Sequence, residues 1–261
     1  KCCFQLLTFV RGQYTASESM CMLPLTGIRL NVKDTRPFPQ APLMELQRPG
    51  VPPSGRITVT RRLIERSSAT SVLEIGAGDL SFRDVLPSAR WQTVDLGGNA
   101  DLVLDLNVPA PRIPLPDAQF DLVIMTEIIE HCLWPHRLLF EVRRLLKGQG
   151  LLLISVPNIS SALYRLAWLF GRIPSCAACG NLPPPHLGPT TYQVAGGAEI
   201  GGHVIDCNRS RLIQLLACAG VLEPRCHSSG LFWHRDIVPP GLCPVSLGSN
   251  LIAIAQAPAI P

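Results

Sequence analysis

The chain has 261 residues, 47% of them hydrophobic and 16% charged, with a mean hydropathy of +0.24; that is enough apolar material for a full core and excludes a disordered polymer. The net charge of +4 comes from scattered Arg and Lys, densest at Arg61, Arg62 and Arg66, which reads as a solvated helix face and not as a nucleic-acid surface. No apolar run reaches the roughly 18–20 residues that cross a bilayer.

The first element in chain order, Cys2–Val10, lacks the charged region and small-residue cleavage site of a secretory signal. Residues 1–55 show no sustained period and carry Pro37, Pro39, Pro42, Pro49, Pro52 and Pro53, the composition of an extension and linker. A helix is expected over Thr58–Ser68, then a short apolar strand, Val72–Ile75, which runs into Gly76-Ala77-Gly78. Phe82–Ala89 reads as a short helix and Trp91–Val94 as a second strand ending in Asp95. Asp101–Asn107 is a third strand with its exit, and Phe120–Met125 is a strongly apolar run, as suits a doubly covered central strand. A helix from Trp134 or Pro135 to Lys147 presents Leu138, Leu139, Val142, Leu145 and Leu146 on one face, with Gly148 as its expected C-cap. Leu151–Val156 makes a fifth strand.

Beyond it, residues 159–202 break the pattern: an amphipathic stretch, Ser161–Phe170, precedes a loop dense in Pro and Gly. Leu163, Leu166, Ala167 and Phe170 repeat at helical spacing, which reads as ordinary packing ahead of a membrane anchor, with a greasy acceptor pocket as the second reading. Cys176-Ala-Ala-Cys179 with His186 is half of a zinc pattern, and no second C-x-x-C completes it. Ten cysteines at irregular spacing suit reduced thiols in a cytoplasmic protein. Asn208 is placed to cap a helix with Leu212, Leu215, Leu216 and Ala219 inward and Gly220 at its end, followed by strands near Glu223–His227 and Leu251–Gln256.

Strands alternating with helices imply a mostly parallel sheet, whose ligands sit beyond the carboxyl ends of the strands. Gly76 and Gly78 stand at such an end and let the backbone turn and approach a ligand. An acid two residues before the first glycine, Glu74, would repel a dinucleotide phosphate and suit a cofactor with an ammonium and a sulfonium. Asp95 stands about 20 residues after the first glycine, where a carboxylate accepts ribose hydroxyls. Glu127, Glu130 and His131 are spaced i, i+3, i+4, so one helical turn would bring them to one side.

Val72-Leu73-Glu74-Ile75-Gly76-Ala77-Gly78, with Asp95, Asp101–Asn107, Phe120–His131 and Leu145–Asn158 following in order, resembles the class I S-adenosylmethionine (SAM) dependent methyltransferases. Leu80 stands where that family often has a third glycine. The resemblance implies an α/β, Rossmann-like fold: a seven-stranded, mostly parallel sheet with helices on both faces and an antiparallel last strand, over residues 56–261, with a substrate lid at 159–202. It implies cofactor contacts at Glu74, Gly76, Ala77, Gly78, Asp95, Leu96, Asp105, Leu106 and Glu127, with Asp105 at the adenine amino group and Leu106 on the ring. His131 is the candidate base for a small-molecule hydroxyl acceptor.

The Glu-x-x-Glu-His string resembles that of ubiquinone-type O-methyltransferases and of small-RNA 2′-O-methyltransferases, where it is linked to metal. Glu127, Glu130, His131 and His203 are therefore candidate ligands of a divalent ion, Mg or Zn. The bland reading competes: Glu127 on SAM, Glu130 capping or solvated, His131 a base or a packing residue. An RNA 2′-O-methyltransferase and a catalytically silent SAM-fold binding module are the alternatives to a small-molecule enzyme. The modest charge and the lack of a basic, aromatic-rich tract count against a nucleic-acid partner.

Overall fold

The computed structural model describes residues 54–78, 81–171, 203–233 and 235–258, plus two-residue strands at 173–174, 186–187, 192–193 and 199–200. Residues 1–53 of the expected extension, Leu80, most of the expected lid with Cys176 and Cys179, and the side chain of His186 lie outside the described residues.

The described chain runs α1 (Gly55–Ser67), β1 (Ser71–Ile75), β2 (Arg90–Asp95), β3 (Leu102–Val103), β4 (Phe120–Thr126), α2 (Pro135–Leu145), β5 (Leu146–Pro157), α3 (Ala162–Leu169), α4 (Arg209–Cys218), β6 (Leu222–Ser228) and β7 (Asn250–Gln256). Seven strands form one sheet in the order β3-β2-β1-β4-β5-β7-β6. β1 to β5 pair in parallel, and β7 runs antiparallel between β5 and β6. A separate antiparallel pair joins Leu231–Trp233 to Arg235–Val238.

Strand alternation sends side chains to two cores. Leu73, Ile75, Val123, Met125, Leu152, Ile154 and Leu251 meet Leu138, Leu139 and Val142 of α2 and Leu212 and Leu216 of α4 on one face. Val72, Leu122, Ile124, Leu153, Ile252 and Ile254 meet Ile57, Leu63 and Ile64 of α1 on the other. β4 is buried on both faces from Leu122 to Met125, as its apolar run requires.

Three elements differ from expectation. Phe82–Ala89 forms only a 3-10 turn at Arg83–Val85, because Pro87 disfavours helical geometry at Leu86 before it. The third strand shrinks to Leu102–Val103 at the sheet edge, where the Asp101 carboxylate is taken by Thr93 and Arg83. α2 stops at Leu145, with Leu146 extended and pairing with Phe120, so Gly148 is not a C-cap. Its neighbour Gly150 is the constrained glycine: a Cβ there would lie 3.0–3.1 Å from Lys147 O, Leu146 Cδ2 and Phe120 O.

At the amino ends of β1 and β4, Asp121 Oδ2 accepts hydrogen bonds from the amides of Thr70 (3.1 Å) and Ser71 (2.9 Å) and from both hydroxyls, while Oδ1 receives Lys147 Nζ at 2.7 Å. These donors hold the Asp121 carboxyl well below the usual range against the opposing cost of burial. A depressed folded pKa gives stability that is complete above about pH 4 and lost as pH falls below it. Asp121→Asn is expected to cost about 1–2 kcal/mol in urea denaturation at pH 7, with the gap to wild type closing in acid; an unchanged gap at low pH would contradict this account.

Candidate active site

The strand order reverses at β1, which has β2 on one side and β4 on the other, and the carboxyl ends of these strands open on the crevice where doubly wound sheets bind ligands. Gly76 leaves β1 with φ +71° and donates its amide to Val94 O at 2.8 Å. Gly78 follows with φ +52° and donates to Asp95 Oδ2 at 2.8 Å, while Asp95 Oδ1 takes the Leu96 amide. The turn after β1 is thus tied to the end of β2. Between them lies a cleft of about 220 Å³ lined by Ala77, Gly78, Asp95, Gly97 and Asn99, room for part of a ligand of the size that fills typical ~300–1,000 Å³ sites.

The two glycines are constrained for different reasons. A Cβ on Gly76 would fall 1.9 Å from Ile128 Cδ1, so this glycine makes room for a side chain of the protein itself. A Cβ on Gly78 would meet nothing within 4 Å, which leaves its surface open to a ligand.

Glu74 is not placed as a charge facing the crevice. Alternation along β1 puts it with Val72 on the α1 face, 1% exposed, where its carboxylate accepts from Ser81 Oγ at 2.8 Å and from the Phe82 amide at 3.3 Å. Its role in the structure is to hold the far side of the glycine turn. Burial pushes its pKa up to about 7, the hydrogen bonds from Ser81 and Phe82 working against it.

Beyond β3, Asp105 is exposed and accepts the Asn107 amide at 2.8 Å, while Leu106 packs partly into the core. Asn107 then clamps the neighbouring strand exit, giving Nδ2 to His131 O (3.2 Å) and taking the Leu133 amide on Oδ1 (2.8 Å).

The segment after β4 is not the helical turn its spacing suggests. Glu127 has φ +56°, a costly conformation for a non-glycine residue, and only Ile129–His131 forms a 3-10 turn. Glu127 Oε1 accepts from Ser155 Oγ at 2.7 Å and Oε2 from Asn250 Nδ2 at 2.8 Å. Its carboxylate therefore ties β4 to β5 and β7. Glu130 instead points inward, 1% exposed, and neither of its carboxylate oxygens has a hydrogen-bond partner among the described residues. Burial first and repulsion by Glu127 second push its pKa well above the usual range, and Arg56 at the start of α1 opposes this.

His203 joins from a distant stretch of chain. The Glu130 carbonyl accepts the amides of Val204 (2.8 Å) and Ile205 (3.2 Å), which sets the His131 and His203 rings edge to face with centroids 4.9 Å apart. Ligand atoms of Glu130, His131 and His203 all lie within 4.8 Å of one another, and Glu127 is not part of that group. Of the expected four-residue set, the fold assembles three.

Asn107, Ser155 and Asn250 were not anticipated. Asn107 lies inside a recognised motif, so its position was visible; Asn250 is 123 residues from Glu127, and no local pattern signals it.

Residues 73–154 match the family model described as "Methyltransferase domain". A "probable S-adenosylmethionine-dependent methyltransferase" of Mycobacterium tuberculosis is 34% identical over 111 residues, which cover 38% of this chain and 40% of that protein. A Mycolicibacterium smegmatis protein of similar description is 31% identical over 111 residues, 38% of this chain and 43% of that one. The match thus spans less than half the length of these relatives. Among solved structures, a Thermotoga maritima SAM-dependent methyltransferase described as a possible histamine N-methyltransferase is 19% identical, with a TM-score of 0.48, over 77% of this chain and 93% of that one. Over residues 73–154 the chain is thus similar to SAM-dependent methyltransferase domains.

A folded pKa of about 7 at Glu74, against about 4.3 unfolded, means the native state holds this proton more tightly. Its contribution is complete below about pH 4 and is lost as pH rises through about 7. Glu74→Gln cannot ionise, so its melting temperature is expected to gain on that of wild type between pH 5 and pH 8; parallel melting profiles across that range would refute the buried titration.

Proposed function

We propose that this domain transfers a methyl group from SAM to the oxygen of a small-molecule acceptor. The observation that carries the reading is the juxtaposition at the reversal of strand order: the open Gly78–Asp95 cleft on the β1–β2 side, and His131 with His203 on the β4 side. SAM supplies a methyl group on a sulfonium, a leaving group already activated, so the protein's task is alignment and exclusion of water.

In this reading Asp95 receives the ribose hydroxyls, Asp105 the adenine amino group and Leu106 the ring, with Ala77 and Leu96 along the same edge. Glu74 and Glu127 act from behind: one holds the glycine turn through Ser81 and Phe82, the other holds the strained exit of β4 through Ser155 and Asn250. His131 takes the proton of the acceptor hydroxyl as it attacks. Leu133 and Val204, the neighbours of the two histidines, are 57% and 41% exposed, a rim that favours an organic acceptor over a polyanion. The domain spans 56–261, with 1–55 as an extension and 159–202 as the acceptor lid. Cys132, Cys207, Cys218, Cys226 and Cys243 are free thiols, consistent with a reducing cytoplasmic setting. No helix among the described residues is long and apolar enough to cross a membrane.

One observation favours a metal-assisted variant. A fully buried carboxylate with two unpartnered oxygens beside two imidazoles is costly as it stands, and a cation held by Glu130, His131 and His203 would satisfy it. Two nitrogen donors and one oxygen suit zinc better than magnesium. A bound ion there would supply a Lewis acid that lowers the pKa of an acceptor hydroxyl.

Isothermal titration with S-adenosylhomocysteine is expected to show binding that Asp95→Ala weakens by about tenfold or more. His131→Ala should leave that affinity within about twofold and slow transfer of labelled methyl to an extract-derived acceptor by ~10²-fold or more. No binding of either SAM or S-adenosylhomocysteine by the wild type would sink the reading. Elemental analysis after zinc dialysis separates the variants: about one zinc per chain, lost in Glu130→Gln, supports the metal, and no retained zinc removes it.

A further inference from the structure

The end of α3 is the least expected surface of the molecule. Ser161 caps its start, accepting the Tyr164 amide, and Ala167 is its one buried residue. Not all the apolar residues that share its spacing pack. Leu166 is 51% exposed, Trp168 51%, Leu169 78% and Phe170 73%, so of Leu163, Leu166, Ala167 and Phe170 the reading as ordinary packing fits half-buried Leu163 and buried Ala167 but not Leu166 and Phe170. Leu166, Leu169 and Phe170 stand at i, i+3 and i+4 and form a single face of the last turn, with the Trp168 ring beside it. Gly171 follows with φ +65°.

No Asp or Glu occurs in residues 142–171, and Arg165 lies within α3. Arg165 is exposed, and its guanidinium donates to the carbonyls of Ser160 (2.7 Å) and Ser246 (3.4 Å), with no hydrogen-bonded carboxylate among the described residues. Exposed Trp, Phe and Leu beside unneutralised Arg is the combination that seats a helix at the boundary of an anionic bilayer, the rings at headgroup depth and the aliphatic chains below. A second copy of the chain fits less well. It would bring a like-charged Arg165 to the contact, and one turn of helix offers far less than the ~800 Å² per partner of a stable interface.

We propose that the last turn of α3, through Leu166, Trp168, Leu169 and Phe170 with Arg165, docks this protein on an anionic lipid surface. The proposal uses none of the residues assigned to the cofactor and not His131, and its residues lie in the segment read above as the acceptor lid. A single short apolar turn gives weak, reversible attachment that needs the electrostatic contribution as well, so binding should depend on both lipid charge and salt.

The test is co-sedimentation of the full chain with large vesicles of equimolar phosphatidylglycerol and phosphatidylcholine, against vesicles of phosphatidylcholine alone. Wild type is expected to sediment with the anionic vesicles, severalfold less with the neutral ones, and progressively less as salt is raised. The double variant Leu169→Ser, Phe170→Ser should lose about tenfold in vesicle binding while keeping its circular dichroism, melting temperature and S-adenosylhomocysteine affinity. Arg165→Gln should lose the preference for anionic lipid. The proposal is overturned if wild type ignores both vesicles, if the double variant binds as well as wild type, or if light scattering shows a dimer that the double variant abolishes. Cofactor affinity is read separately, so a protein that binds vesicles without SAM keeps the docking surface and loses only the methyl-transfer reading.

Discussion

Everything at the crevice depends on the reversal of strand order at β1. Parallel strands deliver all their carboxyl ends to one edge of the sheet, and the reversal sends the connections after β1 and β4 to opposite sides, which leaves a gap between them. Gly76–Gly78, Asp95 and the 127–131 segment stand at that edge for this reason. The gap is as rigid as the sheet beneath it, since β4 is buried on both faces and paired on both edges.

On that frame the acids divide by what surrounds them. Asp121, amid five donors at the opposite edge, is strongly ionised and holds β1 to β4. Glu74, buried with weaker donors, sits near neutrality and holds the glycine turn. Glu127 is satisfied by Ser155 and Asn250 in exchange for a left-handed backbone, and Glu130 is buried with nothing to satisfy it. A strained residue next to an unsatisfied carboxylate is the pattern of a working site, because a scaffold selected for stability alone discards both.

Gly76 and Ile128 show a further constraint on the glycine turn that its sequence does not carry. Glycine there was expected for the sake of a ligand, yet the side chain it admits is Ile128, from the segment after β4. The turn after β1 and the segment after β4 are therefore packed against each other through this pair. Glu74 is a similar case: an acid at that position was legible, but its direction was not, because the face a strand residue takes depends on which side α1 covers.

The order of strands and helices, the apolar centre at β4, the Asn208 cap and the glycine turn were all written in the sequence, because periodicity, capping and turn chemistry act over a few residues. The i, i+3, i+4 spacing of Glu127, Glu130 and His131 was equally legible and misled, since the pull of Ser155 and Asn250 on Glu127 outweighs local helical preference. Tertiary structure alone decided that His203 meets His131, that Glu130 is buried without partners and that the end of α3 stays outside the core. Each of those is set by contacts between segments far apart in the chain, and such contacts leave no period in the sequence to read.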